Sequence, residues 1–253
     1  MSVDAELGRA LADIVEEAGA EIMPLWRSEL AVDRKADSSP VTEADRRGEA
    51  LILKRLAERF PGVPVISEED ASEFGTPEAI GPRFFLVDPL DGTKAFVRGD
   101  PHFTVNIGLI EDGRTVAGAV CAPPTGETWW TAGGAALKRL PGAETRPVRV
   151  RAWPAGEAIA LISHTMKPET ADRLAAEYGF HIREPMDSSI KFCRIAEGAA
   201  DIYPRHGPTM EWDTAAGQAV LEAAGGSVTT LDGAPLRYGK PGFENPDFIA
   251  RGK

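Results

Sequence analysis

The strongest constraint on the fold is an apolar run that ends in two closely spaced carboxylates. Phe84-Phe85-Leu86-Val87 is followed directly by Asp88-Pro89-Leu90-Asp91-Gly92-Thr93. A short, continuously apolar run predicts a buried strand, and the proline and glycine are expected to end it. The two carboxylates can then converge on one point beyond the strand. Hard divalent cations such as Mg²⁺ take oxygen ligands of this kind and keep positions for water and phosphate.

The charge balance limits the classes of partner. The chain has 253 residues, is ordinary for a globular protein in its hydrophobic and charged content, and has a formal net charge of −11. We expect no nucleic-acid polymer as a partner, because that binding depends on neutralising phosphates. A small phosphate ester would need a local positive centre, which bound Mg²⁺ would supply. Residues 1–26 hold acidic side chains throughout and no long apolar run, so neither a signal peptide nor stable membrane anchoring is expected.

The cysteines and histidines form no sequence motif. Cys121 and Cys193 are predicted to be buried free thiols, which favours a cytoplasmic location. The chain has four histidines and no pair at zinc-ligand spacing, so zinc catalysis is not expected.

Hydrophobic periodicity predicts alternating helices and strands. A first amphipathic helix is indicated by Leu7, Leu11, Ile14, Ala18, Ile22 and Leu25. After a polar break at 33–40, a second helix is predicted from Thr42, its cap, to Phe60. Asp112-Gly113 predicts the turn of a β-hairpin. The other predicted strands are 63–67, 84–87, 103–110, 115–122, 127–131, 158–162, 181–183, 201–203 and 227–230, and the other predicted helices are 168–178, 189–197 and 213–224.

This alternation predicts an α/β (mixed α+β) fold with helices layered on sheets. Proline and arginine are frequent between Pro141 and Pro154, which indicates a seam between two halves. We expect an N-terminal α+β half, residues 1–145, that carries most metal ligands. A C-terminal α/β half, residues 146–253, carries Asp213 and the specificity residues. The two are expected to pack tightly as one catalytic unit.

Carboxylates recur at the predicted ends of elements, where distant segments can meet. They are Asp45, Glu68, Asp88, Asp91 and Asp213. Each also has a simpler interpretation: Asp213 as a helix cap, Glu68 in a solvated turn, Asp45 as an ordinary first-turn acid. Together they suit a site in which two or more Mg²⁺ ions generate hydroxide and neutralise a phosphate ester. Thr93 could orient the water, and Gly92 leaves backbone N–H groups open to phosphate.

Four stretches together resemble the inositol monophosphatase superfamily of Mg²⁺-dependent, lithium-sensitive phosphatases. They are Pro40-Val41-Thr42-Glu43-Ala44-Asp45, Ile66-Ser67-Glu68-Glu69, Val87-Asp88-Pro89-Leu90-Asp91-Gly92-Thr93 and Glu211-Trp212-Asp213-Thr214-Ala215-Ala216-Gly217. The resemblance implies a layered αβαβα sandwich, two or three Mg²⁺ ions and a possible homodimer. The metal ligands that it implies are Glu68, Asp88, Asp91, Asp213 and the Leu90 carbonyl oxygen.

The same resemblance implies roles at the reacting phosphate. Asp45 and Thr93 are similar to the pair that activates the attacking water, and Glu68 joins them as a catalytic residue. Gly92 and Thr93 would hold the phosphate through backbone N–H groups. Glu68, Asp91 and Asp213 would face the substrate as well as the metal.

Within the superfamily, the chain most resembles the 3′(2′),5′-bisphosphate nucleotidases of the CysQ type. The similar stretches are Asp91-Gly92-Thr93-Lys94, Ser188-Ser189-Ile190-Lys191-Phe192-Cys193 and Ala199-Ala200-Asp201-Ile202-Tyr203-Pro204-Arg205. That group removes the 3′-phosphate of adenosine 3′,5′-bisphosphate, a by-product of sulfate assimilation. The implied substrate-binding residues include Lys94, His164, Ser189, Lys191 and Arg205.

Position 95 departs from the nucleotidase pattern, because the chain has Ala95 where those enzymes usually carry Glu after Gly-Thr-Lys. Preference for the second phosphate is therefore open, and an inositol monophosphatase or another small phosphomonoesterase is the alternative. Two further alternatives remain. One is a non-catalytic regulatory protein that binds metal or nucleotide, and the other is an acidic globular protein without a metal.

Overall fold

The computed structural model describes residues 3–28, 32–34 and 40–253, which form stacked layers of helices and sheets. The helices are α1 (Val3–Ile22), α2 (Glu43–Arg59), α3 (Glu68–Phe74), α4 (Thr93–Val97), α5 (Pro168–Tyr178), α6 (Ile190–Ala196) and α7 (Ala215–Ala223). Short 3-10 turns occur at Met23–Leu25, Glu211–Asp213 and Pro241–Phe243. Among these helices, none is both long and apolar enough to cross a bilayer.

The strands form one small and two large sheets. A two-stranded sheet pairs β1 (Val32–Arg34) with β2 (Pro40–Thr42). The seven-stranded sheet contains, in spatial order, β3 (Val65–Ser67), β4 (Arg83–Asp91), β5 (Thr104–Glu111), β6 (Arg114–Ala122), β7 (Glu127–Ala132), β8 (Ala135–Arg139) and β9 (Arg146–Val148). The five-stranded sheet contains, in spatial order, β11 (Ile182–Pro185), β10 (Ile159–Ile162), β12 (Ile202–Arg205), β14 (Phe248–Arg251) and β13 (Ser227–Thr230).

Strand β4 shows how the layers are held together. Side chains alternate across a strand, and β4 is apolar on both faces. Phe85 and Val87 pack with α1 and α2 in one core. Phe84 and Leu86 pack in another core that contains α6 and α7. The seven-stranded sheet is therefore covered by helices on both faces.

The second core continues through α6 and α7 to the five-stranded sheet. It includes Leu161 on β10, Tyr203 on β12 and Phe248 on β14. On the far side of that sheet, Ala171 and Leu174 of α5 pack in a third core. The order of layers is helices, sheet, helices, sheet, helix, which agrees with the predicted αβαβα sandwich.

Two local predictions are confirmed. The Thr42 side chain accepts a hydrogen bond from the Ala44 N–H (3.1 Å), and the Asp45 side chain accepts one from the Thr42 N–H (2.7 Å). This reciprocal pair is a capping box, which satisfies N–H groups that the helix leaves unpaired. The hairpin turn between β5 and β6 has positive φ at Asp112 (49°) and Gly113 (72°), as a type I′ turn requires.

The prediction that Pro89 ends the strand is wrong. Strand β4 continues to Asp91, and its register against β5 shifts between Asp88 and Asp91. Proline has no N–H for the ladder and is tolerated at such an irregularity, where residues leave the regular pairing. The shift places the three steps from Asp88 to Asp91 on β4 opposite the two steps from Asn106 to Thr104 on β5.

Other elements differ from the sequence prediction. Residues 33, 34 and 40 of the predicted polar break belong to the small sheet formed by 32–34 and 40–42, while 35–39 lie outside the described residues. The sequence analysis missed β8, β9 and β14. Strand β9, which follows the predicted boundary at 145, pairs with β8 in the first sheet, and the second sheet begins at Ile159. The division into two halves stays a prediction.

Candidate active site and metal centre

Three carboxylates that are distant in sequence meet at one end of the seven-stranded sheet. Glu68 begins α3, Asp88 lies on β4, and Asp213 ends the 3-10 turn before α7. Each offers an oxygen within 4.8 Å of the oxygens of the other two. Asp88 is buried and the other two are partly exposed. The structure therefore brings together three of the predicted metal ligands.

The position of Glu68 depends on a carboxylate that the sequence analysis missed. Glu49, on α2, accepts hydrogen bonds at its Oε1 from the Glu69 and Asp70 N–H groups, each at 3.2 Å. These are N–H groups of the first turn of α3, so Glu49 fixes the start of that helix. Burial raises the pKa of Glu49, although the hydrogen bonds that its carboxylate accepts lower the pKa in part. Glu68 to Asp70 thus form a helix start rather than a solvated turn.

The Pro89-Leu90 turn orients Asp88 and a backbone carbonyl. The Leu90 N–H donates to Asp88 Oδ1 at 3.0 Å, and the Leu90 carbonyl accepts from the Thr93 hydroxyl at 3.1 Å. Both contacts are within the 88–93 segment, which explains why a compact acidic turn can hold several oxygens in fixed directions.

Asp213 does not begin the long helix, as the sequence predicted. It ends the turn Glu211–Asp213, and α7 starts at Ala215. Its Oδ2 accepts from the Met210 N–H at 2.8 Å, so the side chain caps the short turn. The other carboxylate oxygen is not used in that bond.

Asp91 is connected to the same group through α6. Its Oδ2 accepts from the Ser189 N–H at 2.5 Å, and the Ser189 hydroxyl donates to the Asp213 carbonyl at 2.6 Å. Ser188 has φ of 61°, a left-handed conformation that is uncommon for serine. Asn106 contacts this network by donating to the Ser189 hydroxyl at 3.3 Å; sequence reasoning missed Asn106.

The electrostatics of the cluster indicate a deficit of positive charge. Burial raises the pKa of Asp91, with Lys191 opposing the rise and Glu68 adding to it. Burial, then repulsion by Asp91 and Glu68, raises the pKa of Asp213 well above its ordinary value. Crowded carboxylates of this kind are stabilised by a bound cation. An all-oxygen donor set fits Mg²⁺ or a similar hard ion.

A proton-accepting pair lies beside the carboxylates. The Thr93 hydroxyl is 3.1 Å from Asp45 Oδ1, while Asp45 Oδ2 accepts from the Thr42 N–H and hydroxyl, each at 2.7 Å. Asp45 is only 1% exposed. The capping box of α2 therefore also fixes the carboxylate that faces Thr93.

These groups open into a cavity of about 310 Å³. It is lined by Glu68, Asp91, Gly92, Thr93, Lys94, Ala95, Arg98, Ser163, Thr165, Asp187, Ser188, Ser189, Lys191, Phe192, Tyr203, Arg205, Thr209, Asp213 and Thr214. Gly92 has φ of 96°, and a Cβ there would lie 2.8 Å from the His102 carbonyl oxygen. Only glycine fits this turn without strain.

Two cationic side chains reach the cavity from the five-stranded sheet and α6. Lys191 is buried, its ammonium lies 4.6 Å from the centre of the Tyr203 ring, and it donates to the Met186 carbonyl at 3.3 Å. Burial lowers the pKa of Lys191 to about 8, with Asp91 opposing the change. Arg205 donates to the Pro208 carbonyl at 2.8 Å, but its buried Nε has no hydrogen-bond partner among the described residues.

His164 is placed differently from the other predicted substrate residues. Its neighbours Ser163 and Thr165 line the cavity, whereas its own Nδ1 lies 3.2 Å from Asp187 Oδ2. Sequence reasoning also missed Arg98, Tyr203 and several hydroxyl side chains of the lining. Tyr203, Ser188 and Thr214 stand in stretches that carry the family resemblance, but no pattern indicated that their side chains line the cavity, because the lining comes together through the packing of separate segments.

The comparisons with known proteins agree with this geometry. The model of the inositol monophosphatase family matches residues 4–249. The 3′(2′),5′-bisphosphate nucleotidase CysQ of Salmonella typhimurium is 39% identical over 94% of this chain and 96% of its own length. A histidinol-phosphatase of Mycobacterium tuberculosis is 34% identical over 93% of this chain and 90% of its own length.

A solved structure extends the likeness to the fold. The crystal structure of CysQ from Bacteroides thetaiotaomicron, described as a bacterial member of the inositol monophosphatase family, has a TM-score of 0.80 and 34% identity. The alignment covers 99% of this chain and 98% of that one. With its layered fold, its gathered carboxylates and these similarities over nearly its whole length, the chain belongs to the inositol monophosphatase family.

Proposed function

We propose that this enzyme hydrolyses the 3′-phosphate of adenosine 3′,5′-bisphosphate to give AMP and phosphate, with Mg²⁺ as its cation. One observation carries the proposal: the carboxylate cluster and the cations Lys191 and Arg205 line the same cavity. A substrate with two phosphates needs one region for the reacting group and another for the second anion. The similarity to CysQ nucleotidases supports the same substrate class.

Glu68, Asp88, Asp91, Asp213 and the Leu90 carbonyl would hold two or three Mg²⁺ ions. When bound, the ions would lower the pKa of water and neutralise the charge that develops on the phosphate. The protein itself contributes by holding four carboxylates in a partly buried group. Without cations, these carboxylates would repel one another. Lithium inhibition is part of the proposal.

Thr93 and Asp45 supply the path for the proton of the attacking water. The Thr93 hydroxyl has one proton, within reach of both Asp45 Oδ1 and the Leu90 carbonyl (3.1 Å each); in the proposed path it is donated to Asp45, and the lone pairs of Oγ1 accept a hydrogen bond from water. Because Asp45 Oδ2 is held by Thr42, the carboxylate cannot turn away from Thr93. Glu68, which lines the same cavity, would bind the same water.

The remaining cavity residues would position the substrate. Gly92 and Thr93 would present backbone N–H groups to the reacting phosphate. Lys191 and Arg205 would bind the second phosphate, the first as a point charge and the second as a planar donor. Ser189 and Lys94 in the cavity lining and His164 beside it complete the proposed contacts. Ala95, which is 1% exposed, leaves only a methyl group at this position.

A second candidate substrate is a small phosphomonoester such as histidinol phosphate or an inositol phosphate. The similarity to a histidinol-phosphatase favours this candidate. Because the carboxylate cluster serves either reaction, the two candidates differ only in the group that meets Lys191 and Arg205.

The deciding experiment measures phosphate release with adenosine 3′,5′-bisphosphate, inositol 1-phosphate and histidinol phosphate at saturating Mg²⁺. We expect the highest kcat/KM for the bisphosphate, loss of turnover on chelation, and loss in Asp91→Asn. Glu6→Gln, at an exposed position of α1, is the matched control. A higher kcat/KM for a monophosphate would contradict the proposed substrate. Turnover without a divalent cation would contradict the proposed dependence on metal.

The cellular setting is also proposed. The two cysteines are free and buried, as expected in a reducing cytoplasm. Removal of adenosine 3′,5′-bisphosphate would place the enzyme in sulfur metabolism. The homodimer stays a prediction, which light scattering of the purified protein checks.

A further inference from the structure

A second group of potential metal ligands lies at the rim of the cavity and differs from the carboxylate cluster in its donors. Asp100 and His102 follow α4, and His164 follows β10. One atom from each of the three lies within 4.8 Å of the others. The group therefore joins a loop after α4, in the first half of the chain, to a loop in the second.

Asp100 and His102 form a turn in which Asp100 Oδ1 accepts a hydrogen bond from the His102 N–H at 3.1 Å, and their side chains lie close without a hydrogen bond between them. His102 Nδ1 lies 3.2 Å from Asp100 Oδ1. Nδ1 is nevertheless buried and makes no hydrogen bond to any residue of the described ranges. Ligand atoms at 2.0–2.2 Å from a tetrahedral Zn²⁺ are about 3.4 Å apart and point at the ion, not at each other. The pair matches that spacing.

His164 has the orienting partner that metal-binding histidines usually have. Its Nδ1 lies 3.2 Å from Asp187 Oδ2, and Arg98 donates to that oxygen at 3.1 Å. A carboxylate that holds one ring nitrogen leaves the lone pair on the other and raises its basicity. The ring centres of His102 and His164 are 5.9 Å apart, which places both imidazoles beside one another.

The charges around the group favour a divalent cation. Asp100 and Asp187 contribute two negative charges, and Arg98 contributes one positive charge between them. Imidazole nitrogens suit Zn²⁺ and neighbouring transition metals, whereas Mg²⁺ prefers oxygen ligands. The donor set thus separates this site from the all-carboxylate cluster.

We propose that Asp100, His102 and His164 form a second metal site that takes Zn²⁺ or a similar transition-metal ion. Its ligands lie on two loops whose other residues line the cavity, Arg98 on one and Ser163 and Thr165 on the other. The His102 carbonyl also lies directly behind Gly92. A bound ion therefore ties together the two loops and stiffens the support of the Gly92 turn.

The test uses zinc chloride with the whole protein in excess Mg²⁺, which occupies the carboxylate cluster. The chain has four histidines, so the imidazole NMR signals report the site directly. One equivalent of Zn²⁺ is expected to shift the signals of His102 and His164 and to leave those of His181 and His206 unchanged. Zinc that binds without moving the first two signals, or that moves all four alike, would overturn the site.

Calorimetry on variants gives an independent measurement. The double variant His102→Gln/His164→Gln is expected to weaken Zn²⁺ binding more than about tenfold, and Asp187→Asn to weaken it about tenfold. His181→Gln, at an exposed position, is the matched control and should keep the wild-type affinity. Equal affinity in the double variant and the control contradicts the proposal. If the double variant does not fold, the imidazole signals of the wild-type protein decide.

Discussion

Single side chains in the site have separable tasks because each is fixed by a different part of the fold. Thr42 and the start of α2 hold Asp45. The Pro89-Leu90 turn holds Asp88 and the carbonyl of Leu90. Arg205, on the last residue of β12, enters the cavity from the other sheet. Substitution of one of them should therefore change one kinetic parameter more than the other.

Thr93→Ala is expected to lower kcat about 100-fold with little change in KM, because the water would lose its hydrogen-bond acceptor and its path to Asp45. Steady-state kinetics on adenosine 3′,5′-bisphosphate measure the effect. Thr93→Ser is the matched control, since it keeps the hydroxyl 3.1 Å from Asp45 Oδ1 and should retain most of the rate. A wild-type kcat in Thr93→Ala would contradict the proton path.

Arg205→Ala is expected to raise KM for adenosine 3′,5′-bisphosphate about 10- to 100-fold, the range for loss of one hydrogen bond to a charged group. The kcat for the bisphosphate and the KM for inositol 1-phosphate should stay unchanged, because the reacting phosphate lies at the carboxylates. Arg173→Ala removes an exposed arginine of α5 and serves as control. An equal rise in KM for both substrates would mean that Arg205 does not contact the second phosphate.

At the scale of elements, the site lies where secondary structure ends irregularly. The acidic segment at the end of β4 contains a shift of strand register and is followed by a left-handed glycine and by the five-residue helix α4. Gly92 stands against the backbone of residue 102, which is close only because β5 returns beside β4. The geometry of the turn thus depends on the pairing of two strands.

Gly92→Ala is expected to destabilise the protein and to lower kcat. The left-handed φ alone costs about 1–2 kcal/mol for alanine, and the contact of the new Cβ with the His102 carbonyl adds about 1 kcal/mol or more. Gly179→Ala is the control, because Gly179 has a similar left-handed conformation (φ 74°, ψ 29°) but no atom within 4 Å of the added Cβ. Urea unfolding and kcat measure both effects. Equal losses of stability in the two variants would contradict the close approach.

The regular elements were predictable from the sequence because their signals are local. The capping box at Thr42 and the Asp112-Gly113 turn need only neighbouring residues. Strand β9, with only three residues, is defined by its pairing with β8. A short strand of this kind has no periodicity of its own, so only tertiary context reveals it.

The candidate site was predictable as a set of residues but not as an arrangement. The acidic motifs indicated which carboxylates belong to the site. They did not indicate that Glu49 holds the start of α3 or that Asn106 contacts Ser189. Those contacts join elements that are distant in sequence, and an ordinary Glu in a helix or Asn in a strand carries no signal of them.

At the scale of the whole molecule, the two sheets share the middle layer of helices. Phe84 from the first sheet and Phe248 from the second belong to one core around α6 and α7. We propose that the two halves form one unit and unfold together, because neither sheet can bury its inner face without these helices. Unfolding followed by tryptophan fluorescence and by circular dichroism tests this proposal, and the two curves are expected to coincide.

A buried group of charges connects the first sheet to α6. Glu127, on β7, lies 2.5 Å from the Lys138 ammonium and 2.6 Å from the Arg194 guanidinium. Burial by itself would raise the pKa of Glu127, but its ion pairs with Arg194 and Lys138 have the larger combined effect and lower the pKa to about 2. The folded protein therefore favours the ionised carboxylate relative to the unfolded chain, whose ordinary value is 4.5.

Glu127→Gln is expected to lower the free energy of unfolding at pH 7 by about 3 kcal/mol. A depressed pKa in the folded state stabilises the protein fully above pH 4.5, and this contribution is lost as the pH falls towards 2. The difference between the wild-type protein and the variant should therefore be constant from pH 7 to about pH 5 and shrink below it. Glu144→Gln, at an exposed position, is the control and should match the wild-type protein throughout. Denaturant unfolding at a series of pH values measures the difference, and a gap that stays constant down to pH 3 would show that the ionised carboxylate does not hold the sheet to α6.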